Sequence, residues 1–161
     1  MEQAAACISG MRAAIAAGPQ DVQTVLVISH ADIPMAFNDA MWAKYQIGRS
    51  NKVKDDSTKR GAIRNPFLDP PSSTPAAPPN NSANRPRGTL TWLATHGHIL
   101  LGCDHATRGF AETVAEKTKR DMQLVYAELN ANLIPGVILH PSGVYAAHRA
   151  QEAGYAYVRS T

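Results

Sequence analysis

The chain has 161 residues, 44% of them apolar, 18% charged and 6% aromatic, which suits one globular domain, is too short for two ordinary ones and excludes disorder throughout. Lysine and arginine total 16 against 13 acidic residues, a formal charge of +3, and the excess is local: positions 48 to 88 carry eight basic and three acidic residues. The remainder is slightly acidic and offers no basic nucleic-acid surface, and no stretch approaches the roughly 20 apolar residues of a membrane span. Cys7 and Cys103 stand at unrelated positions, which is neither a disulfide framework nor a Cys-x-x-Cys metal site, so a reducing compartment is the simpler assumption. The Ala-rich start, Met1 to Ala17, is interrupted by Arg12 and has no twin-arginine pair. As it stands the chain reads as cytoplasmic, with the periplasm as the alternative if an export signal has been removed.

In chain order, residues 2 to 17 read as a helix closed by Gly18-Pro19 within an N-terminal segment 1–20. Val22 to Ser29 is β-branched and nearly continuously apolar, the pattern of a strand covered on both faces. Asp32 caps a predicted helix to about Tyr45, on which Ile33, Ala36, Phe37, Ala40 and Met41 share a face, and Gly48 ends it. From Gly48 to Gly88 the apolar period disappears and seven of the eleven prolines cluster, which predicts an exposed, partly disordered insertion. Arg64-Asn65-Pro66-Phe67, inside it, carries no meaning by itself. A short helix over Thr89 to Thr95, a strand over His98 to Gly102, and helices over Thr107 to Lys119 and Asp121 to Leu133 follow. Val137 to Leu139 is a third strand, Ser142 to Glu152 a helix stopped at Gly154, and Tyr155 to Val158 a fourth strand.

Strands separated by helical stretches this long run parallel, so the predicted class is a three-layer α/β fold with a mainly parallel sheet. In such sheets ligands collect beyond the carboxyl ends of the strands. Those ends carry Ser29 and His30, then Cys103, Asp104 and His105, then His140 and Ser142. Cys103 at a helix start gains thiolate character from free N–H groups, with Arg108 and His105 as further positive charge; the plain alternative is a buried cysteine acting as a small hydrophobe. Cys7, with no polar company, reads as inert. His30 pairs with the thiolate or satisfies loop backbone. His96 and His98 read as cations on a helix dipole. His30, Cys103, His105 and His140 offer sulfur and imidazole for zinc or copper, but no spacing preassembles a metal site. Dinucleotide, nucleotide-triphosphate and serine-hydrolase signatures are absent, and Ser142-Gly143 reads as a helix cap.

The segments VLVISHADIPMAFNDAMW, GHILLGCDHATRGFA and NLIPGVILHPSGVYAAHRAQEAGYAYV resemble the DsrE-like superfamily, closest to a branch often found with a twin-arginine export signal. The resemblance covers Val22 to Arg159 apart from the Pro-rich insertion. It implies a flavodoxin-like sheet, homo-oligomers, and a sulfur-handling cysteine at Cys103 followed by the Arg108-Gly109 pair; His105 and His140 lie outside the pattern. The expected function is therefore sulfur transfer, with Cys103 carrying a persulfide and His30 and Arg108 stabilising its thiolate. Partners would be further copies of the chain and a sulfur donor or acceptor protein, with no cofactor, nucleic acid or membrane. The alternative is a module binding a small anion or metal through His30, Cys103, His105 and His140, with Ser29, Asp104 and Ser142 lining the pocket and no turnover. A structural oligomer with a relict pocket is the third reading.

Overall fold

In the computed structural model the described residues are 8, 10–16, 21–55, 57–68 and 89–158. Three strands, β1 (Val25–Ile28), β2 (Ile99–Cys103) and β3 (Val137–His140), form a parallel sheet in the order β1-β2-β3. The register sets Val25 against Ile99, Ile28 against Gly102 and Cys103 against His140, so all three strands end at one edge. The chain is thus α/β with helical crossovers between parallel strands.

Helices α1 (Asp39–Lys44), α2 (Ile47–Ser50), α3 (Leu90–Thr95), α4 (Asp104–Thr118), α5 (Met122–Ala131) and α6 (Gly143–Glu152) accompany the sheet. Their starts follow capping chemistry: Asn38, Thr89 and Asp121 each accept a backbone N–H from three residues on. Leu100 and Leu129 are fully buried, as are Val125, Leu90 and Leu93. Gly102 is bare on the face where Ile33 lies, and Gly143 lies beside Cys103, the next residue of the strand. Successive strand residues point to opposite faces, so the sheet end is covered from both sides. Among the described residues no helix is long and apolar enough to cross a membrane.

Three expectations change. The single helix from Asp32 to Tyr45 is instead a 3-10 helix over His30–Ala36, a break, and then α1 and α2. Pro34 lacks the N–H that would extend an α-helix, and Asn38 caps a new helix with its side chain. Ser29, not Asp32, is the residue at the start, and Gly48 lies inside α2 rather than ending a helix. No strand forms over Tyr155–Val158: the chain leaves α6 through Gly154 at φ +91, and Tyr157 and Val158 are exposed. The Gly18-Pro19 stop and the proline-rich 69–88 lie outside the described residues, and of the N-terminal segment residues 8 and 10–14 are helical.

The first half of the predicted insertion is largely exposed, as expected, but it is anchored to the fold through the buried Gly48, Ala62 and Asn65. A Cβ at Gly48 would lie 2.3 Å from the Ala62 carbonyl oxygen, and one at Gly61 would lie 2.8 Å from the Arg49 amide, so two small residues let the limbs of this loop touch backbone to backbone. Asn65 is buried and fully engaged: its side-chain amide donates to the carbonyls of Met35 and Phe37 at 2.8 and 2.7 Å, and its carbonyl oxygen accepts from Phe67. The Asp39 carboxylate accepts its backbone N–H at 2.9 Å. Asparagine alone among the standard side chains supplies both donor hydrogens and an acceptor at this reach. Phe67 then packs edge-on against the buried Trp42.

Two expectations follow. Asn65→Ala leaves two backbone carbonyls without partners and lowers unfolding free energy by about 2–4 kcal/mol in urea denaturation; an unchanged midpoint would show that water replaces the amide without loss. His98 is buried rather than a cation on the dipole, and its Nδ1 accepts the Thr24 N–H at 3.2 Å. Burial, then Arg12 and His96, hold its pKa below the ordinary 6.5. The folded state therefore keeps His98 neutral while the unfolded chain takes up the proton, so this contribution is complete above 6.5 and is lost as pH falls through the depressed folded value. Thermal melts between about pH 7 and pH 5 will show a falling midpoint, and His98→Asn will flatten that fall.

Candidate functional site

β2 runs into α4 with no intervening loop: Cys103 is both the last residue of the strand and the N-cap of the helix. Its side chain takes the capping position that Ser or Asp usually fills, with the Ala106 N–H 3.4 Å from Sγ. Gly143, the first residue of α6, comes in from the other side, and a Cβ there would lie 2.6 Å from Ser29 Oγ and 3.3 Å from Cys103 Cβ. Only a residue without a side chain lets α6 start this close, so the sulfur sits between two helix N-termini whose dipoles both favour negative charge. Burial pushes the Cys103 thiol up, but the Ser29 hydroxyl and the backbone N–H groups of Ala106, Gly143 and His105 outweigh it, and the thiol lies below its ordinary 9.0. The residue is 4% exposed and meets solvent through a groove of about 760 Å³.

That groove gathers Ser29, His30, His105 and Ser142 around Cys103. Ser29 Oγ lies 3.1 Å from His30 Nδ1, and Ser29 and Cys103 both flank Gly143, so the serine stands near both the imidazole and the sulfur. His30 has a left-handed backbone at φ +52, a conformation a non-glycine residue adopts at a cost of order 1 kcal/mol. It is separated from the buried end of β1 by Ser29 alone and opens the 3-10 helix.

The remaining expected site residues are elsewhere. Arg108 does not face the sulfur: its guanidinium donates to Asp104 at 2.9 Å and to Tyr126 at 3.2 Å and lies 4.3 Å over the Tyr126 ring. Burial raises the Asp104 carboxyl, but the Tyr126 hydroxyl and Arg108 lower it further, so it is held as a carboxylate by α4's own second turn and by α5. His140, beside Cys103 in register, turns to the Ser142 carbonyl at 3.1 Å and to the Tyr145 ring at 5.3 Å. Among the described residues no three His, Cys, Asp or Glu side chains are grouped as metal ligands, so His30, Cys103, His105 and His140 do not assemble the expected ligand set. Cys7 lies outside the described residues.

Sequence reasoning missed Gly143, read as part of a cap, and Asn65, read as meaningless. The available signals were a small residue placed just beyond a strand end in Pro141-Ser142-Gly143, and an Asn-Pro-aromatic run inside an otherwise polar stretch. Comparison with family models, with curated proteins and with solved structures finds no match.

Gly143→Ala tests the cradle. Its new Cβ forces Ser29 and the start of α6 apart, and the pH midpoint for alkylation of Cys103 by iodoacetamide will rise toward the ordinary 9.0. A stability loss of about 1–3 kcal/mol accompanies the overpacking. An unmoved midpoint would mean that α6 contributes nothing to the thiolate.

Proposed function

We propose that this chain is a sulfur carrier of the DsrE-like, flavodoxin-like kind, in which Cys103 attacks a sulfane sulfur and holds it as a persulfide. The observation that carries the reading is the place of the Cys103 sulfur, at the start of α4 with the Ala106 N 3.4 Å away and with Gly143 and Ser29 closing in from the other side, a setting that holds the thiol below its ordinary value. A cysteine serving only as a small hydrophobe needs no such setting, whereas a nucleophilic one depends on its thiolate fraction.

In the resting site the thiol proton leaves through Ser29: Cys103 donates to Ser29 Oγ as the Ser29 hydroxyl donates to His30 Nδ1, 3.1 Å away. The thiolate then attacks the outer sulfur of a donor such as thiosulfate, the S–S bond of the donor breaks, and sulfite departs with the bonding pair. The transferred sulfur remains at the sulfane level on Cys103, so no oxidant or reductant is consumed. The persulfide anion occupies the cradle that held the thiolate, and a second thiolate collects its outer sulfur by the same displacement. His30 serves as the proton acceptor in this scheme; Arg108, engaged by Asp104 and Tyr126, takes no part.

Incubation with thiosulfate or polysulfide will add one sulfur, about 32 Da, to Cys103, and dithiothreitol will remove it. Cys103→Ser will take up none. Ser29→Ala and His30→Ala will each slow uptake about tenfold or more, within the range of lost general-base help. A Cys103 that reacts only after denaturation would overturn the reading.

A further inference from the structure

The groove reaches far past the sulfur. Along one wall it follows α4 through His105, Gly109, Phe110, Val114 and Lys117, positions that recur at the 4, 3–4 and 7–8 spacings of one helix face. At 1.5 Å per residue that stripe, with Cys103 at its head, extends roughly 20 Å. The facing wall is apolar, built from Ile33, Met35, Val53 and Phe67, and the last two belong to the loop that Asn65 fastens to the 3-10 helix. Ser29, His30 and Cys103 line the groove where α4 begins, while Lys117 lines it from the last turn of the same helix. Thiosulfate would fill only the first few ångströms of such a space, and its size falls within the range of organic-ligand pockets.

We propose that the groove selects the substrate of Cys103: a linear organic persulfide with its sulfane sulfur at the thiolate, an apolar chain along Phe110, Val114, Met35 and Phe67, and a carboxylate at Lys117. This rests on the reading of Cys103 as the attacking thiolate. The Cys103 thiolate attacks the outer sulfur of R–S–SH, the S–S bond of the donor breaks, R–S⁻ leaves with the bonding pair, and Cys103 becomes the persulfide; charge and oxidation level balance without a further reactant. The apolar walls supply affinity through buried methylenes. Lys117 supplies polarity of entry, since an anionic terminus meets a cation at only one end of the groove.

Alkyl methanethiosulfonates with ethyl or octyl chains, each with and without a terminal carboxylate, are reacted with the full chain, and Cys103 labelling rates are divided by those of glutathione. The octyl-to-ethyl ratio will be about tenfold, a fraction of what complete burial of the added methylenes would give. Gly109→Leu will abolish that ratio, because a Cβ at Gly109 meets nothing within 4 Å and its side chain enters the groove, while leucine suits a helix better than glycine. The octyl carboxylate will exceed neutral octyl by about threefold, and Lys117→Glu will reverse that preference. An octyl-to-ethyl ratio near unity in the wild-type chain, or one unmoved by Gly109→Leu, overturns the proposal; a carboxylate preference indifferent to Lys117→Glu overturns its anionic terminus. The two readings fail separately. Persulfide uptake from thiosulfate with no chain-length preference sinks the groove assignment alone, and a clear preference without any persulfide uptake supports the groove and overturns the sulfur carrier.

Discussion

Everything at the reactive edge depends on one close approach, that of the first residue of α6 to Ser29 and Cys103. Because Gly143 has no Cβ, the α6 N-terminus closes on the sulfur from one side while α4 begins at the sulfur from the other. Two sets of unpaired backbone donors then face a single atom. A helix start ordinarily satisfies these donors with a serine or aspartate oxygen; here a thiol is the acceptor, and the donors gain most when it is ionised. The same approach brings Ser29 beside Gly143 and Cys103, with His30 Nδ1 3.1 Å from its hydroxyl.

The second constraint lies across the groove. A loop rich in charged residues holds its place because Asn65 answers the carbonyls left open where the helix breaks between Ala36 and Asp39. The break that stops a continuous helix thus creates the acceptors that anchor the opposite wall. Gly48 and Gly61 let the limbs of the loop close, and Phe67 is delivered against Trp42, whose Nε1 donates to the Pro34 carbonyl at 2.9 Å. Packing on this side follows from satisfying backbone groups rather than from an apolar period.

Behind that wall a polar cluster ties α1 to α5. Tyr45 donates to Glu128 at 2.6 Å, Arg120 donates to both, and Lys44 pairs with the same carboxylate. Hydrogen bonds from Lys44 and Tyr45 hold Glu128 at about 2, while burial and the bond to Glu128 push Tyr45 up to about 12. Neither group changes charge across the pH range in which the His98 contribution is lost. Tyr45 also lines the groove, so this cluster ties the wall to α5.

The sequence alone determined the α/β class, the parallel strands and the edge on which the polar residues gather, because continuous β-branched runs and long helical spacers are local signals that tertiary structure seldom overrules. It also placed Cys103 between a strand and a helix, though it began that helix at Thr107, and the structure starts it at Asp104 with Cys103 as its cap. It could not tell Ser29 and His30, which line the groove with Cys103, from Arg108 and His140, which do not: all four stand at or soon after a strand end, and side-chain partners such as Asp104, Tyr126 and Tyr145 are chosen only once α4, α5 and α6 have docked. Tyr155–Val158 looked like a strand because its residues favour one, yet pairing requires a free neighbour in register, which is a property of the assembled sheet. The roles of Gly143 and Asn65 were decided by tertiary structure alone. One depends on the absence of an atom where three segments meet, the other on carbonyls about thirty residues away in the chain, and neither leaves a period or a spacing in the sequence.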